Sequence, residues 1–169
     1  MTTLRRAART DIDCLLGWID SPMMLLYWSG TRFTYPLRRA DLDAHFDLLN
    51  REAHRRRAYT LLCSGIPVGY GEIVMLAEST ARLARVIIAP DARGRGLGRT
   101  LASALIERAF TQFGVRKTDL YVFRDNVAAI RCYRAVGMTV NGRLDKAYDL
   151  PGGQSGDLLR MVVHAEEWG

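Results

Sequence analysis

A strand that runs through a glycine loop straight into a helix restricts this chain more than any other feature. Between Arg85 and Thr100 an apolar run, Arg85-Val86-Ile87-Ile88, gives way to Ala89-Pro90-Asp91-Ala92 and then to Arg93-Gly94-Arg95-Gly96. A helix pattern follows, with Leu97, Leu101, Leu105 and Ala109 on one face to about Phe113 and Gly114 as its stop. That order is what anion binding requires. Glycines let backbone N–H groups approach an anion without a Cβ in the way, and the following helix adds its unpaired amides and its dipole. Arg93, Arg95 and Arg99 add positive charge at the same mouth.

Spacing separates the common phosphate loops. A P-loop needs Lys after its second glycine, but Gly98 is followed by Arg99, and the position five before Gly98 is Arg93. A dinucleotide fingerprint starting at Gly94 or Gly96 needs a further glycine at Arg99 or Leu101. Both fail, and Arg93-x-x-Gly96-x-Gly98 remains.

The rest of the chain alternates between two periodicities. Thr2–Ala8 reads as a strand; Thr10 followed by Asp13 reads as a capping box opening a helix through Leu15, Leu16 and Ile19, with Pro22 ending that region. The aromatic stretch Tyr27, Trp28, Phe33 and Tyr35 reads as an irregular loop that either lines a pocket or joins the core, and Leu42, Phe46 and Leu49 then recur at helical spacing. Tyr59–Ser64, Val68–Ala77 and Arg82–Ile88 form an antiparallel meander with turns at Gly65-Ile66-Pro67 and Glu78–Ala81. Asp119–Phe123 reads as strand, Val127–Val136 as helix, and Thr139–Leu150 and Leu158–Ala165 as strands joined through Pro151-Gly152-Gly153. At 169 residues with no linker or repeat, one domain over 1–169 is the expectation.

The second informative segment is Asn126-Val127-Ala128-Ala129-Ile130-Arg131-Cys132-Tyr133, which follows the loop after one helix and one strand. Together with Arg93-x-x-Gly96-x-Gly98 it resembles the paired elements of the GNAT N-acetyltransferase superfamily: a Gln/Arg-x-x-Gly-x-Gly/Ala pyrophosphate loop, then a helix opened by Asn and carrying Tyr. Gly69–Glu72 leading into Arg85-Val86-Ile87 is similar both to acetyltransferases of ribosomal-protein N-termini and to many small-amine enzymes. The resemblance implies an α+β fold: a mixed, mostly antiparallel sheet of six to seven strands, splayed in the middle, with about four flanking helices. It implies acetyl-CoA as acyl donor, no metal, and direct transfer to a primary amine of a small molecule or a protein N-terminus. A non-catalytic acyl-CoA sensor of the same fold is the alternative. A homodimer is also expected.

The resemblance assigns roles. Main-chain groups of Val86 and Ile88 would meet the pantetheine amides, and an amide near Val86 or Ile87 would donate to the oxyanion. Arg93, Gly94, Arg95, Gly96, Leu97, Gly98, Arg99 and Thr100 would surround the pyrophosphate, and Tyr133 would donate a proton to the departing thiolate. Its phenol, with a reference pKa of about 10, is protonated at neutral pH. Asn126 is either cofactor-side or simply the favoured N-cap of its helix. Arg131 and Arg134 either reach a CoA phosphate or lie solvated on their helix. An acceptor amine with a reference pKa of about 10.4 needs a base or a site that binds its free form. Glu72, the acidic residue of Val68–Ala77, shares a strand face with Tyr70 and Val74 and is the candidate, against a plain solvent-facing glutamate. Tyr27, Trp28, Phe33 and Tyr35 are the candidate acceptor-site residues.

Composition narrows the alternatives. The net charge of +6, carried almost wholly by arginine, suits a polyanionic partner, and codon usage explains the arginine equally well. The Arg51, Arg55, Arg56 and Arg57 cluster suits a helix end and has no RRM, KH or zinc-finger pattern beside it, so nucleic acid is not expected. His45, His54 and His164 have no metal spacing, and three scattered cysteines, Cys14, Cys63 and Cys132, fit a reducing cytoplasm. No window reaches a membrane span.

Overall fold

A computed structural model describes all residues, Met1–Gly169. The alternating pattern at the N-terminus forms β1 (Thr2–Arg6), followed by α1 (Ile12–Trp18), α2 (Pro22–Ser29) and α3 (Arg39–Arg51). The meander is β2 (Arg56–Cys63), β3 (Ile66–Ala77) and β4 (Thr80–Ile88); then come α4 (Leu97–Gln112), β5 (Lys117–Phe123), α5 (Val127–Ala135), β6 (Thr139–Asp149) and β7 (Ser155–His164). The seven strands make one sheet in the order β1-β2-β3-β4-β5-β7-β6. Every neighbouring pair is antiparallel except β4 and β5. The expected α+β class holds, with five helices where about four were expected.

Side-chain alternation sends the strands' apolar residues to two separate cores. On one side Leu101, Leu105 and Ile106 of α4, with Ile130 and Tyr133 of α5, pack on Ile73, Leu83 and Leu120. On the other, Ile12, Leu15, Trp28, Leu42 and Phe46 from the first three helices pack on Ala58, Tyr70 and Ile87. No helix is long and apolar enough to cross a membrane.

Two expectations near the N-terminus are corrected. Pro22 opens a helix instead of ending one: it occupies the first turn, where its missing N–H removes no intrahelical bond, and the Ser21 hydroxyl accepts from Met24 N at 3.1 Å. Tyr27 and Trp28 therefore ride on α2 and not on an irregular loop. The Thr10–Asp13 capping box does not form. Asp11 takes that place, accepting from Ala8 N at 2.9 Å while its buried carboxylate also binds Arg5 and Thr60.

Candidate active site

The site starts from a sheet that comes apart. β4 and β5 pair only at Thr80↔Lys117, Ala81↔Thr118 and Arg82↔Asp119, after which the strands diverge. The β5-facing backbone of Leu83–Ile88 is left without a ladder partner, which in a protein interior calls for one. On its other edge β4 is irregular too: Tyr70 pairs with Ile87 and Glu72 with Ala84, so Gly71 faces both Arg85 and Val86. Arg85 sits at φ +52°, a bulge conformation, and its carbonyl accepts from Trp28 Nε1 at 2.8 Å. The bulge redirects the strand just where the opening begins.

Beyond Ile88 the chain rounds into α4 through Gly94 (φ +73°) and Gly96 (φ +77°), left-handed positions that glycine takes without strain. Gly96 is the N-cap and no side chain caps the helix, whose first turn holds no acidic residue. The opening amides of a sixteen-residue helix thus face outward unclaimed, and Arg93 and Arg99 stand beside them. Arg93 folds back, its Nε 3.2 Å from Ile88 O. Gly98 has a different role from its neighbours: a Cβ there would lie 3.2 Å from Cys132 Sγ, so it lets α4 and α5 close together.

These parts line a cleft of about 570 Å³, within the range of cofactor pockets. Val86, Ile87, Ile88, Arg93, Gly94, Gly96, Leu97, Gly98, Arg99 and Asn126 all border it. Arg95 and Thr100 do not: they lie exposed away from the cleft, and the Thr100 hydroxyl turns back toward Gly96 O at 3.4 Å. Met24, Ala128, Arg131 and Cys132 border it as well. Asn126 caps α5, its side chain accepting from Ala129 N at 3.3 Å, so the capping role stands whatever else it does. Tyr133 borders both this cleft and a smaller adjoining pocket. Burial pushes its phenol up from the ordinary value, and no protein hydrogen bond holds its hydroxyl.

The adjoining pocket, about 230 Å³, lies between α2, β4, β5 and β6. Tyr27 and Trp28 border it, with Phe123 and Tyr148 completing an aromatic wall: Tyr27 to Phe123 is 5.2 Å between ring centroids, and Phe123 to Tyr148 is 5.6 Å. Phe33 and Tyr35 are not in it. Phe33 stacks behind Trp28 and abuts His45, while Tyr35 is exposed and donates to Asp20 O.

Glu72 borders neither cavity. It is fully buried beneath the helices, with His45 Nε2 at 2.7 Å and Tyr70 OH at 2.8 Å from Oε1. Arg85 Nη2 lies 2.8 Å from its Oε2, a buried ion pair. Burial alone would raise this carboxyl, but Arg85 and His45 outweigh it and hold it well below the usual range. Glu72 is therefore not solvent-facing, and its carboxylate does not reach either cavity directly. Arg82, Arg85, Phe123 and Tyr148 were not among the sequence candidates, because the divergence of β4 from β5 brings them together.

The acetyltransferase (GNAT) family model matches residues 22–138. Spermidine N(1)-acetyltransferase of Escherichia coli (strain K12) is 26% identical over 167 residues, covering 98% of this chain and 87% of that one. The same enzyme of Vibrio cholerae is 30% identical over 166 residues, covering 95% and 91%. A crystal structure of the Vibrio cholerae spermidine N-acetyltransferase in complex with CoA and spermine superposes with a TM-score of 0.83, covering 98% of this chain and 96% of that chain at 23% identity.

Proposed function

The chain belongs to the acetyltransferase (GNAT) family and is an acetyl-CoA-dependent N-acetyltransferase, and from that premise we propose which residues carry the reaction. The donor half is the larger cleft. Its fit to the donor rests on the unclaimed amides at the start of α4 beside Arg93 and Arg99, which suit a pyrophosphate, and on the unpartnered backbone of Val86 and Ile88, which suits the amides of an extended pantetheine arm. Arg131 is the further candidate for a phosphate. Bound acetyl-CoA supplies the acyl group as an activated thioester.

Tyr133 is the proton-side residue, its hydroxyl free between the two cavities. A phenol held protonated by burial donates a hydrogen bond to a developing thiolate and follows with the proton only as the leaving group departs. A main-chain amide at Val86 or Ile87 is the donor to the thioester oxygen, fixed in place by the bulge at Arg85. No carboxylate borders either cavity, so the amine is not deprotonated by an adjacent acid residue. Instead the pocket favours the free amine. Removal from water and nearby arginines both lower an amine's pKa.

The observation that carries this reading is the meeting, in one cleft, of an uncapped helix start, an unpaired strand edge and an unclaimed tyrosine hydroxyl. The acceptor is a small-molecule amine or a peptide N-terminus, and the residues 1–169 work as one domain in the cytoplasm. One test pairs calorimetric titration of acetyl-CoA with a thiol-release assay. Tyr133→Phe is expected to leave the acetyl-CoA Kd unchanged and lower kcat by roughly 10²-fold. A variant with the parent kcat overturns the role of Tyr133.

A further inference from the structure

The acceptor pocket differs in charge from what a polyamine needs. Its only charged lining residues are Arg82 and Arg85. Behind them lie two carboxylates, both fully buried and both already engaged. Glu72 pairs with Arg85, and Asp119 accepts from Arg82 Nε at 2.8 Å, Arg82 Nη2 at 2.9 Å, and Arg160 Nη2 at 2.8 Å. Three guanidiniums thus face two carboxylates, leaving an excess of one positive charge. Arg82 keeps Nη1 outside the pair with Asp119, and its side chain is 30% exposed. Asp125 is exposed beside Tyr27 and is not part of the pocket lining.

We propose that the acceptor is a primary amine carrying a carboxylate and an apolar body, an amino acid or short peptide, and not a polyamine or aminoglycoside. This deepens the acetyltransferase reading and rests on it. A spermidine-like cation would bring two or more ammonium groups beside Arg82 and Arg85 with no carboxylate in the pocket lining to pair them, so like charges meet as water is lost. A carboxylate-bearing amine meets the opposite situation. Its anion meets the Nη1 that Arg82 keeps outside its pair with Asp119, a single charged donor, and its apolar part lies on Tyr27, Phe123 and Tyr148. At one end of that wall the C-cap of α2 comes close: a Cβ at Gly30 would lie 2.8 Å from the Tyr148 hydroxyl. Arg82 precedes Val86 by four residues on β4 with the bulge at Arg85 between them, a reach of at most about 13 Å at strand rise, which suits a short peptide or a long amino acid. In the reaction the amine nitrogen forms the new N–C bond, the thioester C–S bond breaks, and the amine's proton ends on the released thiol.

Two assays on the full chain test this. Initial rates of thiol release are measured with the amino acids and a set of dipeptides, each beside its C-terminal amide, and with spermidine and kanamycin. In parallel, the N-acetylated acids and N-acetylated amides of the same panel are titrated calorimetrically into the CoA-loaded protein. The best acid is expected to exceed its amide at least tenfold in kcat/KM and in binding, and to exceed both polycations. Arg82→Gln is expected to close the acid–amide gap, with Arg82→Lys restoring most of it and circular dichroism confirming that both fold. If no amine is acetylated, the enzymatic reading fails while the titrations still decide the acceptor: preference for the acids sustains the proposal. Equal affinity for acid and amide, no affinity for either, or better use of spermidine or kanamycin overturns it.

Discussion

Glu72 shows how far a single residue's meaning depends on what lies above it. Strand alternation correctly puts it on the face of Tyr70, whose hydroxyl donates to it, but the sequence does not say whether that face meets solvent, a cleft or a layer of helix. The structure puts it under α3, bound to His45 and to Arg85, with its carboxyl held low. It acts as the anchor of Arg85, the residue at the bulge. Glu72→Gln should therefore destabilise the fold by on the order of 3 kcal/mol in denaturant unfolding, because an Arg85 side chain only 11% exposed loses its counter-charge. The pH profile of kcat/KM should keep its shape in that variant, rising as the acceptor amine loses its proton. Loss of an acidic limb in Glu72→Gln would reinstate it as the base. Tyr133 was the legible counterpart: its place within a contiguous segment, Asn126–Tyr133, fixed its helix and its spacing to the cap without tertiary information.

At the scale of elements, the strand, loop and helix from Thr80 to Gln112 were readable because their signals are local: apolar run, left-handed glycines, helical repeat. α2 was not, because a proline marks a helix start as readily as an end, and only the Ser21 cap distinguishes the two. The bulge in β4 had no signal of its own, although Gly71 opposite it was visible. A Cβ at Gly71 would stand 2.6 Å from Leu105 Cδ1, so α4 approaches β3 only over a bare backbone. Gly71→Ala is accordingly expected to cost about 1–3 kcal/mol of stability by overpacking against a fully buried leucine, read as a lowered denaturation midpoint. An unchanged midpoint would mean that Leu105 finds another rotamer at no cost.

Across the whole molecule, three buried carboxylates recur with arginine partners: Asp11 with Arg5, Glu72 with Arg85, and Asp119 with Arg82 and Arg160. Burial opposes ionisation in each, yet the arginines prevail and all three carboxyls are depressed. A depressed carboxyl contributes stability that is fully present above its unfolded value, near 4, and is lost as pH falls through the folded value. Urea unfolding should give a plateau from neutral pH to about 5 and a steep loss of stability below 4; a flat profile to pH 3 would contradict the ion-pair geometry. The sequence by itself determined the elements that build the larger cleft, because a glycine loop, a helix start and a tyrosine helix are local devices whose spacing survives in one dimension. Only the tertiary structure decided the lining of the smaller pocket, the proposed acceptor site. Arg82, Phe123 and Tyr148 come from three strands that meet at an opening created by the parting of β4 from β5, and no local pattern encodes which side chains a long-range divergence will bring face to face.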